Sequence, residues 1–209
     1  MREDFYLEFE NKFRGDRYSI LKQLSAYDSL VKLIINVNAD SQFIDIGCGR
    51  GEWLEKWKDH VSRCFGIESN SNMINACLGR QLDIIAGDAI STIKGIRSSS
   101  INVITMFHII EHLSNDYLYQ LIDECYRVLH DNGILIIETP SIDNLLVSSK
   151  LFYLDDTHIN HINPEALQFS LDKSGFDKSK YYYIHPGPLH KADHLKVTRI
   201  FNGVAQDVV

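Results

Sequence analysis

Residues 43–54, with the sequence FIDIGCGRGEWL, restrict this chain more than any other stretch. A short apolar run ending at Ile46 reads as a strand, Gly47, Gly49 and Gly51 as a turn, and the residues after them as the start of a helix. Glycine on alternate residues lets the backbone bend sharply and come close to a ligand, because no Cβ stands in the way. A helix entered from such a turn points its free N–H groups and the positive end of its dipole into the bend. Together these features predict a nucleotide-type crevice at the carboxyl end of a strand. The spacing is G-x-G-x-G, and Glu52 stands where the dinucleotide fingerprint has its third glycine. The crevice is therefore expected to hold a cofactor without a pyrophosphate. Glycine-rich turns also occur as plain packing solutions, so the downstream residues decide.

From residue 43 strand and helix patterns alternate. Residues 50–60, 70–79 and a segment opened by Ser114 read as helices, and residues 62–67, 82–86, 101–107 and 134–137 as strands. Ser114 suits an N-cap, Leu118, Leu121, Ile122, Cys125, Val128 and Leu129 form the apolar face behind it, and Gly133 suits the C′ position. Such alternation gives a parallel sheet with right-handed crossovers and helices on both faces. Upstream, Phe5, Phe9 and Phe13 share one helical face, Gly15 and Asp16 break it, and Ile20, Leu21, Leu24, Tyr27, Leu30, Val31 and Ile34 form a second stripe. These helices are placed to cap the crevice. Asn163 and Pro164 open a late helix that ends at Gly175, and residues 181–184 and 197–201 read as a closing hairpin. The expected fold is α/β: a doubly wound, Rossmann-like, mostly parallel seven-stranded sheet with N-terminal capping helices and a C-terminal antiparallel hairpin. The expected organisation is one domain over 1–209, with a helical cap (1–40), a cofactor-binding core (41–140), an irregular insertion (141–163) and a C-terminal helix and strands (164–209).

Composition sets limits on partners. A length of 209 residues fits one domain, and a formal charge of −7 argues against a nucleic acid backbone as partner. Cys48, Cys64, Cys77 and Cys125 form no C-x-x-C pair. Reduced cysteines, an N-terminus without an apolar h-region and the lack of any long apolar run lead to the expectation of a cytoplasmic chain that does not span a membrane.

Glu68, 21 residues after Gly47 at the end of the second strand, is placed to accept from ribose hydroxyls. Asp88, after Gly87, can accept from an exocyclic amine such as that of adenine. Residues 43–53, Glu68, the run Gly87, Asp88 and Ala89, and the FHIIEHL segment at 107–113 together resemble class I S-adenosylmethionine-dependent methyltransferases. The resemblance implies S-adenosylmethionine as cofactor. It implies that Asp45, Gly47, Gly49 and Gly51 meet the methionine part, Glu68 the ribose, and Asp88 with Ala89 the adenine. Met106 and Phe107 would wall the cofactor. Tyr6 and Arg14, on the capping helices, could meet the methionine carboxylate.

A narrower resemblance rests on Phe5, Tyr6, Phe13, Arg14 and Gly15, residues 107–113, Glu138, Thr139 and Pro140, Asn144, Leu145 and Leu146, residues 152–155, and Thr157 with His158. These are similar to bacterial methyltransferase domains found beside glycosyltransferases of cell-surface polysaccharide assembly. That implies a sugar hydroxyl of a surface glycan as acceptor, and a chain fused to or associated with glycosyltransferase modules in a longer protein. A small-molecule or quinone-precursor acceptor is the alternative, and a non-catalytic cofactor-binding module a third reading.

A sugar hydroxyl is a poor nucleophile and needs a general base or a metal. His108, Glu111 and His112, which face one side of a helical turn, and His158, taken ahead of His161 in the insertion, are the expected catalytic residues. The H-x-x-E-H run is similar to the E-x-x-E-H run with which small-RNA 2′-O-methyltransferases, together with a distant histidine, bind a divalent ion. His108 stands in place of the first glutamate, so no metal is expected.

Overall fold

The computed structural model describes residues 12–35, 40–185 and 194–199. The predicted helix through Phe5 and Phe9, and Tyr6 with it, lies outside them. Seven strands, β1 (Gln42–Ile46), β2 (Arg63–Glu68), β3 (Asp83–Ala86), β4 (Ile101–Phe107), β5 (Leu129–Pro140), β6 (Ser179–Ile184) and β7 (His194–Arg199), form one sheet in the order β3-β2-β1-β4-β5-β7-β6. Strands β1 to β5 run parallel, and β7 pairs antiparallel with both β5 and β6.

The central strands are apolar on both faces, as a sheet covered on both sides requires. Ile44, Ile46, Ile104, Met106, Leu135 and Ile137 pack on one side against α5 (Ala89–Lys94), α6 (Asn115–Val128) and α7 (Pro164–Lys173). Phe43, Val103, Phe107, Ile134 and Ile136 pack on the other, against α1 (Arg17–Leu24), α2 (Asp28–Ile35), α3 (Glu52–Trp57) and α4 (Ser71–Leu78). The period of two along each strand sends alternate side chains to the two cores. Each fully buried large side chain, such as Ile104 or Met106, contributes roughly 1.5–3 kcal/mol.

Several boundaries differ from expectation for local reasons. The second N-terminal stripe is buried at Ile20, Leu24, Tyr27, Leu30, Val31 and Ile34, but a 3₁₀ turn at Ser25–Tyr27 divides it into two helices. Ser114 caps α6 by accepting from Tyr117 N, as its position suggests. Gly133, in contrast, does not end that helix. β5 begins at Leu129 and its register slips, Ile101 facing Leu129 but Val103 facing Ile134, so residues 130–133 bulge. Gly133 sits in the bulge, where a Cβ would lie 3.0 Å from His130 O and 3.1 Å from Asn102 O. Crowding between backbones selects that glycine.

The 141–163 stretch is partly ordered into turns. Asn144 accepts from Leu146 N and Val147 N and opens a π-helical turn at Val147–Leu151, with a 3₁₀ turn at Phe152–Leu154 behind it. Its far end is fastened where Ile159 N and Asn160 N donate to Glu111 O at 2.9 and 3.0 Å. The strand order reverses direction between β1 and β4. A crevice outside the carboxyl ends of strands is expected at that point.

Candidate active site

The turn after β1 supplies one wall of the crevice. Gly47, Gly49 and Gly51 have φ of 66°, 54° and 78°. A Cβ on Gly51 would press into Leu82 and lie 2.9 Å from Cys77 Sγ; one on Gly47 would lie 2.7 Å from Ile109 Cδ1. Left-handed backbone with no room for a side chain admits only glycine. At Gly47 the vacated space is filled by the residue next to His108, which presses the turn against residues 108–112.

Glu68 holds this turn to β2. Its Oε2 accepts from Gly49 N at 3.0 Å, and its Oε1 from Ser69 N at 2.8 Å and Asn70 N at 2.9 Å. A carboxylate offers about four lone-pair directions, so acceptor capacity is left for a hydroxyl. Asp45, at the buried end of β1, accepts from Thr105 Oγ1 at 2.6 Å. Burial pushes its pKa up to about 7, against the opposing influence of that bond and of the Arg14 charge. Arg50, within the motif, lies 3.0 Å from Glu52 through Nε and donates to Gly15 O at 3.3 Å. These two residues tie the turn to the segment before α1, a role that the spacing of the motif does not reveal.

The other cofactor-side candidates separate. Phe107 and Arg14 line the crevice. Met106 is fully buried on the opposite face of the sheet. Asp88 is exposed and caps α5, accepting from Ser91 N at 2.8 Å and from the Tyr117 hydroxyl. The Tyr117 and Ser91 bonds hold its pKa below the usual carboxylate range. Ala89 is half-buried as the first residue of α5.

The second wall is built from side chains beyond β4 and β5. Residues 108–112 are not a helical turn. His108 has φ 55°, and a 3₁₀ turn at Ile110–His112 follows. A non-glycine residue in this region is strained, and strain of this kind clusters at functional sites. His108 N donates to Glu138 O at 2.8 Å, while its Nδ1 lies 3.4 Å from Glu111 Oε1 and its Nε2 3.3 Å from Glu138 Oε1. Burial works against the imidazolium, but the two carboxylates outweigh it and raise the pKa to about 9. Glu111 is fully buried; burial favours its acid form, and the His108 contact overcomes this and brings it down to about 2. Its Oε2 accepts from Thr139 Oγ1 at 2.9 Å. Glu138, given no role of its own by the sequence reading, also accepts from the Tyr27 hydroxyl. An acid closing the apolar run ILII at 134–137 was the available signal.

His112 and His158 meet across 46 residues of chain, with ring centroids 4.6 Å apart. Burial lowers the His112 pKa. Ligand atoms of Glu111, His112 and His158 all lie within 4.8 Å of one another. With His108 and Glu138 they line a cavity of about 470 Å³, closed by α1 and by the 147–158 segment. All four expected catalytic residues thus face one space. His161, in contrast, is exposed and stacks on Phe152 at 3.7 Å.

Residues 19–180 match the family described as methyltransferase domain. The chain belongs to that family. S-adenosylmethionine is the methyl donor. This methyltransferase is similar to a probable S-adenosylmethionine-dependent methyltransferase of Mycolicibacterium smegmatis, at 26% identity over 66% of this chain and 53% of that protein. It is also similar to tRNA N(3)-methylcytidine methyltransferase trm140 of Schizosaccharomyces pombe, at 23% identity over 84% of this chain and 66% of that protein. The chain therefore spans about half to two thirds of these curated relatives. Among solved structures, a SAM dependent methyltransferase from Archaeoglobus fulgidus superposes with a TM-score of 0.83 at 25% identity, covering 94% of this chain and 99% of that one. None of these three is described as a polysaccharide enzyme.

The residues of the methyltransferase suit the donor. The glycine turn is held in left-handed backbone by close packing on Ile109, Leu82 and Cys77, Glu68 stands beside it with acceptor capacity left, and Arg14, which lines the neighbouring cavity, brings a positive charge near Asp45. Among the described residues no helix is long and apolar enough to cross a membrane.

Proposed function

We propose that this methyltransferase methylates a hydroxyl oxygen, and that the hydroxyl belongs to a carbohydrate of a bacterial surface glycan. The observation that carries the reading is the convergence of Glu111, His112 and His158 in the cavity beside the glycine turn. S-adenosylmethionine, when bound, supplies a methyl group on an already electrophilic sulfonium. The protein then has two tasks: to position the acceptor, and to take its proton. Amines at their free-base pH need no such help, whereas an alcohol does. Backbone at 47–51 meets the methionine part of the donor, Glu68 its ribose, and Arg14 its carboxylate. His112 and His158 stand where a hydroxyl proton can be accepted. His108, between Glu111 and Glu138, balances their charge.

The carbohydrate is favoured by the lining. Phe13, half exposed, offers a ring face for the apolar side of a sugar, and Glu138 and Asp155 offer acceptors for its hydroxyls. A net charge of −7 disfavours a polyanionic acceptor. In the same reading the chain works in the cytoplasm beside glycosyltransferases. The test is transfer of labelled methyl from S-adenosylmethionine to three acceptors in parallel: surface-polysaccharide fragments, a quinone-precursor phenol, and tRNA. A methyl ether on the glycan is expected. Label on the phenol or the tRNA alone would overturn the choice.

A further inference from the structure

We propose that Glu111, His112 and His158 form a binding site for a divalent transition-metal ion. Neighbouring bonds fix which ring atoms are free. The Thr157 hydroxyl donates its one proton to Asp155 Oδ1 at 2.5 Å, so its oxygen, 2.8 Å from His112 Nδ1, accepts the proton of that nitrogen. The lone pair of His112 is then on Nε2. His158 Nδ1 lies 2.7 Å from Phe152 O, which can only accept, so the His158 lone pair is also on Nε2. Metal-binding histidines characteristically donate their other N–H to a carboxylate or backbone carbonyl, or, as Thr157 does here for Asp155, through an intermediary.

The carboxylate completes the set. Glu111 is 0% exposed, and its Oε1 has no hydrogen-bond partner among the described residues, with His108 Nδ1 3.4 Å away. Held only by that long ion pair, the oxygen keeps lone pairs for a further ligand. One ligand atom from each of the three residues lies within 4.8 Å of the others, the residues line the cavity, and Asp155 Oδ2 stands 4.0 Å from His158 Nε2 as further negative charge. His108 is outside the cluster, held by Glu111 and Glu138. Its presence in the H-x-x-E-H run therefore does not count against a metal. Two imidazoles and one carboxylate select manganese, iron, cobalt or zinc over magnesium or calcium, and three protein ligands leave coordination positions open. An ion there would occupy the Nε2 lone pairs of His112 and His158 and share the cavity with the acceptor; with the ion bound, the two rings would assist loss of the hydroxyl proton to water by holding the ion that lowers its pKa, in place of accepting the proton themselves.

The untagged full chain, stripped with chelator, is titrated with Mn²⁺ while the paramagnetic resonance signal of free Mn²⁺ is followed, and separately with Co²⁺ by visible absorption. One ion per chain is expected, with Co²⁺ bound more tightly than Mn²⁺. His158→Ala and Glu111→Gln should each weaken binding by about 100-fold or more, and Thr157→Val, at a positioning residue, by roughly 10- to 100-fold. Glu111 is buried, so His158→Ala, at a partly exposed position, decides if Glu111→Gln unfolds; circular dichroism and donor calorimetry check each variant. No ion on the wild-type chain at millimolar Mn²⁺ or Co²⁺, or unchanged affinity in His158→Ala, would overturn the site. No acceptor enters these measurements, so their outcome is independent of which hydroxyl is methylated.

Discussion

The glycine turn at 47–51 and the cavity under residues 108–112 touch through Ile109, yet they are made in different ways. The turn is one contiguous stretch whose working atoms are backbone. Its shape follows from three residues with positive φ, and one carboxylate, Glu68, pins it in place. The cavity is made of side chains drawn from the turn after β4, from β5 and from residues 147–158, and Glu111 and His112 are held by Thr139 and Thr157, remote in sequence. Backbone architecture binds a ligand common to a whole family. Side-chain architecture can be altered piecemeal, and that is where the choice of acceptor would reside.

If the two regions are separable, damage to each should show in a different measurement. The largest effect is expected from His112→Ala and His158→Ala: turnover falls by roughly 10²–10⁴-fold, the range for loss of a proton acceptor, while calorimetric affinity for S-adenosylmethionine stays unchanged. Loss of donor affinity in both variants would break the comparison. Next comes Gly51→Val. A β-branched side chain at φ 78°, pressed into Leu82 and Cys77, should cost roughly 2–5 kcal/mol of stability in urea denaturation. Glu68→Gln should weaken donor binding by roughly 1.5–3 kcal/mol through loss of charged acceptors, and leave turnover at saturating donor nearly intact.

The last effect is spread over pH and is smallest at any one step: it is a slope. Folded Asp45 keeps its proton to about pH 7, whereas in the unfolded chain it is lost near the ordinary value of 3.8. Below 3.8 both states are protonated and this contribution to stability is complete. As pH rises from there to about 7 the unfolded chain alone gives up the proton, and stability declines by at most about 1.4 kcal/mol per pH unit. The Asp45→Asn variant should lack that decline when the two proteins are unfolded in urea across this range. Parallel curves for the two would show that Asp45 is ionised in the fold.

These differences also explain what the sequence discloses. The alternation of strands and helices is legible because every central strand must be apolar on both faces, as in ITMF at 104–107 and ILII at 134–137. The Ser114 and Asn163 caps are legible because a cap is local. Gly133 misleads for a related reason: helix ends and β-bulges both call for glycine, and only the register of β5 against β4 distinguishes them. His108, Glu111, His112 and His158 can be singled out by type and position, but not their partners. Nothing near His112 in the chain reveals that Thr157 orients its ring, or that Glu138 and Tyr27 close the cavity behind His108. Those contacts exist only once the 141–163 stretch has folded back and bonded to Glu111 O.

The most direct test is a crystal structure with S-adenosylhomocysteine, the demethylated donor. The account expects the methionine part of the donor along residues 47–51 with its ribose on Glu68, and the sulfur at the mouth of the cavity that His112 and His158 line. Nucleoside filling that cavity, with the glycine turn bare, would contradict it.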